Sequence, residues 1–261
     1  YSNGKYIKPD IKKAIHYLQL ASNKNYIDAH NLLGKIYLDD QFIDINKSIH
    51  YFQLGAEQNE RESQYSLGCI YSYYLPDVNK SLYYLSLSAK QNFVYAQYHI
   101  GYIYLFGLNV PKDINKALYY LTEAANQGCE AAQILLGHFY LYEPGDFKNV
   151  DKALYYLNLA EKQNSLCAQL LLGNVYLEGK HVKQDIPKAK HFLKKAANKN
   201  NECAQYLLHR AYLCEGNYNE ALNSLKTACF HDNHLAQLSY GYNLLYGFGV
   251  KQNVDLAIQL L

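Results

Sequence analysis

Two short patterns recur along this chain in one shared rhythm. The first is a small residue followed three and four positions later, in five of its eight copies, by an aromatic and a leucine. Its small residue falls at Ala14, Ser48, Ser81, Ala117, Ala153, Ala189, Ala221 and Ala257, in steps of 34, 33, 36, 36, 36, 32 and 36 residues. The second, Gly-x-x-Tyr, keeps the same phase at Gly34–Tyr37, Gly68–Tyr71, Gly101–Tyr104, Gly137–Tyr140 and Gly173–Tyr176, with His209–Tyr212 and Gly241–Leu244 as decayed members. Two ladders locked in phase over the whole chain predict a tandem-repeat solenoid. Such an array builds an extended binding surface rather than a catalytic centre.

One period explains the rhythm. From Glu130 to Tyr142, Ala132, Leu135, Leu136, Phe139 and Tyr140 keep three-and-four spacing, which predicts an amphipathic helix A. Pro144-Gly145-Asp146 breaks it, and Asp151 to Lys162 carries Ala153, Tyr156, Leu157 and Ala160 at the same spacing as helix B. Small residues at the crossing let the two backbones approach, and aromatics such as Tyr120 and Tyr156 are expected to fill the gap between successive pairs. Pro9, Pro76, Pro111, Pro144 and Pro187 fall in the link before helix B or in its first turn, where a missing N–H costs least. Asp113 and Asp185 stand at expected N-caps. The result is an all-α chain read as one repeat array over 1–261. Its helix pairs are expected near 27–58, 61–91, 94–127, 130–163, 166–199, 202–230 and 234–261, after a lone helix at 10–23.

Charge is nearly balanced, 25 basic against 23 acidic residues, which argues against a nucleic-acid-binding face. No apolar run is long enough to span a membrane, so direct membrane insertion is not expected. Cys167 and Cys203 share a repeat phase, and equivalent helices pack about 8–10 Å apart, beyond the roughly 7 Å that a disulfide bridges. Cys69, Cys129 and Cys229 share no phase. Reduced cysteines point to the cytoplasm or another reducing compartment, with a parent protein that enters a secretory lumen or acts as a secreted effector as the alternative. The chain opens at Tyr1 within a repeat and stops at Leu261 within a helix, so it reads as a fragment truncated at both ends. Its uncovered ends are expected to self-associate weakly.

The stretch Ala132-Gln133-Ile134-Leu135-Leu136-Gly137-His138-Phe139-Tyr140 resembles the A-x-x-x-L-G-x-x-Y helix of the Sel-one-like repeat (SLR) family, relatives of the tetratricopeptide repeat. Residues from Leu105 to Ala117 are similar to that family's Y-x-x-G-x-G-V-x-x-D-x-x-K-A link, with Asn109 in place of the second glycine. Tyr119 to Gly128 is similar to its W-Y-x-x-A-A-x-Q-G ending, and Leu245-Tyr246-Gly247-Phe248-Gly249-Val250 restores the full link. The resemblance covers essentially the whole chain. It implies a right-handed α-solenoid of about seven helix-turn-helix repeats, with helix A lining the concave side. It also implies a scaffold or adaptor that assembles protein complexes, with no catalytic residues, cofactor or metal to carry over. A secreted branch of the family ties each helix pair with a disulfide, and this chain lacks that cysteine pattern.

The candidate recognition surface is the part of helix A that packing does not use. Positions three before, one after and five after the phase glycine form one i, i+4, i+8 stripe. Three successive triplets, Tyr65-Cys69-Tyr73, Tyr98-Tyr102-Phe106 and Ile134-His138-Tyr142, are strongly aromatic. Tyrosine and phenylalanine give large contact area at small entropic cost. A groove binding a peptide or a partner helix is therefore expected on Tyr65, Tyr73, Tyr98, Tyr102, Phe106, His138 and Tyr142. Packing of these rings between successive A helices is the competing expectation, and it would make the array a structural arm of a larger complex whose missing ends bind. Other signals are weaker. His16, His50 and His191 share a phase that other repeats fill with tyrosine, unlike a metal-ligand set, and His231, Asp232 and His234 read as a solvated turn. Asn46-Lys47-Ser48 and Asn79-Lys80-Ser81 fit a glycosylation acceptor but arise from the start of helix B. No nucleophile elbow, phosphate loop or zinc-protease motif occurs.

Overall fold

The computed structural model describes residues 10–143, 145–230 and 233–260. Tyr1, Pro9, Pro144, His231, Asp232 and Leu261, which entered the sequence reading, lie outside the described residues. Every regular element among the described residues is helical. In order these are α1 (Ile11–Ser22), α2 (Ile27–Ile36), α3 (Ile45–Glu57), α4 (Arg61–Tyr73) and α5 (Val78–Lys90). Then come α6 (Val94–Phe106), α7 (Ile114–Asn126), α8 (Glu130–Tyr142), α9 (Val150–Lys162) and α10 (Leu166–Glu178). The series ends with α11 (Ile186–Ala197), α12 (Glu202–Cys214), α13 (Tyr218–Phe230), α14 (His234–Tyr246) and α15 (Val254–Leu260), and a short 3-10 turn occupies Gly145–Phe147. The chain divides into two compact units, Tyr1–Ala132 and Gln133–Leu261, with the boundary in the first turn of α8. In each unit A-type and B-type helices alternate as stacked α-solenoid pairs.

The A helix meets its B partner through a glycine. A Cβ placed on Gly34 would lie 2.7 Å from the Phe52 ring. On Gly68, Gly101, Gly137 and Gly173 it would lie 2.5–2.6 Å from Leu85, Leu121, Leu157 and Leu193, respectively. All five partner side chains are fully buried. The small residue of helix B sits beside this contact: Ser48 and Ser81 are buried, and their hydroxyls donate to the carbonyls of Gly34 and Gly68 at 2.9 Å. The seryl positions of the two apparent glycosylation motifs are thus committed to the seam.

The link between the helices is held by one repeated device. The N–H groups of Asp44, Asp77, Asp113, Asn149 and Asp185 donate to the carbonyls of Tyr37, Tyr71, Tyr104, Tyr140 and Tyr176 at 2.8–3.0 Å. The same five side chains then cap helix B by accepting the N–H of Lys47, Lys80, Lys116, Lys152 and Lys188, the bond that an N-cap is expected to make. Those lysines fold back so that each ammonium stands 4.8–5.3 Å from the centroid of the phase tyrosine. Pro187 sits in the first turn of α11 as expected. Asn109, in place of the second glycine, has φ of 56°, a left-handed conformation that asparagine tolerates better than most residues. Tyr120 packs against the cluster formed by Leu85 and Ala89 of one pair and Ala96, Ile100 and Ile103 of the next, as expected, and Tyr156 stacks its ring at 6.1 Å on Tyr140 of its own pair.

In three pairs a buried glutamine of helix A accepts from a glutamine at the end of helix B. Gln91, Gln127 and Gln163 donate to Gln64, Gln97 and Gln133 at 2.9, 2.6 and 2.8 Å. In unit 2 the pair α12–α13 departs from the rest. His209 replaces the phase glycine, and its Nδ1–H donates to the Ala221 carbonyl at 2.9 Å. Beside it a cavity of about 480 Å³ opens among His209, Leu213, Tyr218, Leu222, Asn243 and Phe248.

The seam generates a test. Gly137→Ala should gain at most about 1 kcal/mol of helix propensity. Overpacking against Leu157 costs roughly 1–3 kcal/mol. Ala153 is fully buried in the same seam, so Ala153→Phe should be worse. Both variants should lower the melting temperature in a calorimetric scan, Ala153→Phe by more. An unchanged melting temperature in both would refute this packing.

Candidate interaction site

Unit 1 gathers five of the seven residues expected from sequence. Tyr98, Tyr102 and Phe106 climb one face of α6 with ring centroids 6.1 and 4.6 Å apart. Tyr65 and Tyr73 stand two turns apart on α4, with Cys69 between them. The A-helix seam faces away from this stripe, since Gly68 and Gly101 sit on the side that meets α5 and α7. Tyr65, Tyr73, Tyr98 and Tyr102 line an open pocket of about 410 Å³ together with His99 and Leu108. Phe106 packs on Tyr102 and is 52% exposed, and Tyr73 is 68% exposed.

His99 organises the pocket. It is buried, its Nε2 lies 3.1 Å from the Tyr73 hydroxyl and its Nδ1 lies 3.7 Å from Cys69 Sγ. Its ring stacks on Tyr73 at 5.4 Å, while Tyr65 meets it edge-on at 6.3 Å. Burial lowers the imidazole pKa, so the ring is neutral near pH 7 and serves one neighbour with each nitrogen. Burial pushes the phenols of Tyr65 and Tyr98 and the Cys69 thiol up, so all three stay protonated. Tyr65 is also packed against Phe93 and Tyr95, at 5.2 and 6.2 Å, and is the most structural ring of the set.

The other two expected residues lie in unit 2 and form a contact of their own. His138 packs on Tyr142 at 4.6 Å, and Tyr142 takes His181 edge-on at 5.3 Å. His181 Nδ1 is buried without a hydrogen-bond partner. His99, Leu108 and His181 were missed by the stripe rule. His99 holds a phase that the later A helices fill with Leu135, Leu171 and Leu207, and that substitution was a visible signal.

Four other histidines lie at the surface. His16, His50 and His191 are exposed, each edge-on to the aromatic that follows it. His234 is exposed beside Gln237 at 3.3 Å. All six cysteines are free, with Cys167, Cys203 and Cys214 exposed. Among the described residues no group of three or more His, Cys, Asp or Glu could hold a metal ion, and no helix is long and apolar enough to cross a membrane.

The family profile of the Sel1 repeat matches residues 1–26, 27–60, 61–93, 94–129, 130–165, 168–201 and 234–261. This chain belongs to the Sel1 repeat family. Two solved Sel1-type structures are similar over nearly its whole length. One is c5321, a protective antigen of uropathogenic Escherichia coli with an SLR fold, 26% identical at a TM-score of 0.79, where the match covers all of this chain and 58% of that one. The other is a Sel1 repeat protein from Oxalobacter formigenes, 26% identical at a TM-score of 0.74, covering 94% of this chain and 74% of that one. Comparison with curated proteins gives no match. Sel1 repeats are typically non-catalytic protein-protein interaction scaffolds, which agrees with the α-solenoid read from the sequence. Residues 202–233, outside the matched segments, contain the His209 departure.

The buried imidazoles make stability depend on pH. Burial lowers the pKa of His30, His99 and His209 in the folded state. The unfolded chain therefore binds protons more readily, so stability is full above the ordinary histidine range near 6.5 and is lost as pH falls through it toward the lowered values. Urea unfolding at pH 7.5 and pH 5 should show the midpoint falling with acid. His99→Leu should flatten that dependence, and an identical slope in the variant would remove His99 from the account.

Proposed function

We propose that this Sel1-repeat chain is a non-enzymatic interaction module that holds an extended peptide or a partner helix along its A helices. The binding groove is centred in unit 1 on Tyr65, Tyr73, Tyr98, Tyr102 and Phe106, and His138 with Tyr142 gives unit 2 a separate aromatic contact. The observation that carries this reading is the open tyrosine pocket of about 410 Å³, two of whose neighbouring rings, Tyr73 and Phe106, remain mostly exposed. Large exposed aromatics at one place are what a protein-binding hot spot requires. A second reading, the array as a structural arm with recognition carried elsewhere, draws on Tyr65, whose ring is spent on Phe93, Tyr95 and His99.

A pull-down from the source lysate, comparing the chain with its Tyr102→Ala, Phe106→Ala double variant, separates the two. A partner kept by the parent and lost by a variant with unchanged circular dichroism and melting temperature supports the groove. A partner indifferent to the double substitution selects the structural arm. Weak self-association belongs to the same proposal: Tyr17 and Leu20 on α1 and Leu256 and Ile258 on α15 are exposed apolar positions. Sedimentation velocity should show the average coefficient rising with concentration, and a strictly monomeric profile at high concentration would contradict it.

A further inference from the structure

The chain uses lysine on tyrosine as a structural joint at its phase tyrosines, and the unit 1 pocket has no such joint. Six phase tyrosines, Tyr37, Tyr71, Tyr104, Tyr140, Tyr176 and Tyr212, each have a lysine ammonium 4.8–5.3 Å from the ring centroid. The four pocket tyrosines, Tyr65, Tyr73, Tyr98 and Tyr102, have no such resident cation among the described residues. Three basic residues of unit 1 are engaged elsewhere, Lys80 over the ring of Tyr71 at 5.1 Å among them. Arg61 lies over Phe93 at 5.5 Å, and Lys35 is paired with Glu62 at 3.0 Å. No charged residue lines the pocket, and its one imidazole is held neutral by burial.

Such a lining has a definite electrostatic character. Ring faces carry the negative lobe of the aromatic quadrupole, and the phenol oxygens add acceptors. A cation entering meets no like charge and finds several faces at once. An acidic group would meet the same faces with the wrong sign. A volume of about 410 Å³ is ample for one long side chain.

We infer that the unit 1 pocket receives a basic side chain, arginine above all, projected by the bound protein partner. Arginine fits better than lysine because its planar guanidinium stacks on aromatic faces, is weakly hydrated and offers five N–H donors to the hydroxyls. The inference rests on the groove reading above and adds the chemistry of the residue that anchors there.

The probe is the pentapeptide acetyl-Gly-Ser-Arg-Ser-Gly-amide, compared with its citrulline counterpart, which keeps the shape and loses the charge. Each is titrated into the full chain carrying ¹³C-labelled tyrosine rings and followed by NMR. The arginine peptide should shift a small set of tyrosine ring signals saturably, and the citrulline peptide should bind roughly 5- to 30-fold more weakly. Substitution at one ring should rank affinity in the order Tyr98, then Tyr98→Phe, then Tyr98→Leu. Should Tyr98→Leu fail to fold, the two peptides on the unaltered chain still decide. Equal binding of both peptides at these rings would overturn the charge preference and leave the groove standing. Absence of binding by either would overturn the inference, and the groove itself is then judged by the Tyr102, Phe106 pull-down alone. Arginine binding indifferent to Tyr98→Leu in a folded variant would place the cation elsewhere and overturn it as well.

Discussion

The contact on which everything else depends is the one where helix A has no side chain. At Gly34, Gly68, Gly101, Gly137 and Gly173 the A-helix backbone rests directly on a buried phenylalanine or leucine of helix B. Interiors are packed to crystal density, so a missing Cβ at the crossing is a dimension of the fold and not a convenience. Once the distance within a pair is set, the link before helix B has a fixed gap to cross. The acid, lysine and tyrosine of each link then close it with a backbone bond, a cap and a ring contact that reuse the same residues.

That economy frees a stripe of helix A. Fold stability is drawn mainly from the glycine side, the glutamine ties and the link, so most of the opposite positions, Tyr65 excepted, carry little of the scaffold's packing. Unit 1 fills them with tyrosines arranged around a buried neutral imidazole. His99 matters because it ties two helices together: it holds Tyr73 and Cys69 of α4 from its place on α6. A pocket of rings that touched nothing would sample many rotamers; this one is organised before a partner arrives, which lowers the ordering cost of binding.

What could be read from the sequence was local. The rhythm, the caps at Asp113 and Asp185, the proline at Pro187 and the left-handed Asn109 each depend on residues within one turn or one link. The stripe rule found Tyr65, Tyr73, Tyr98, Tyr102 and Phe106 because helical spacing alone puts them on one face. It missed His99, which sits beside the stripe and acts across helices, and it carried no information on how deeply Tyr65 is packed. The glutamine ties were equally invisible, since Gln97 and Gln127 are 30 positions apart and only stacking shows that they meet. The stack of Tyr156 on Tyr140 was invisible for the same reason: spacing names a face, and only the crossing decides which neighbours that face meets.

In a linear array each pair is supported by its neighbours alone, so cohesion is a chain of junctions and the array is as cooperative as its loosest one. The histidine at position 209 and the cavity beside it make one junction inside unit 2 unlike the others. There the dry contact of glycine on leucine is exchanged for a polar bond and an unfilled volume. The helices α14 and α15 lie beyond it, and local opening there need not propagate into α10 and α11. A defect in the repeat thus acts as a fuse: it lets one segment fray or adapt while the rest of the scaffold keeps its register.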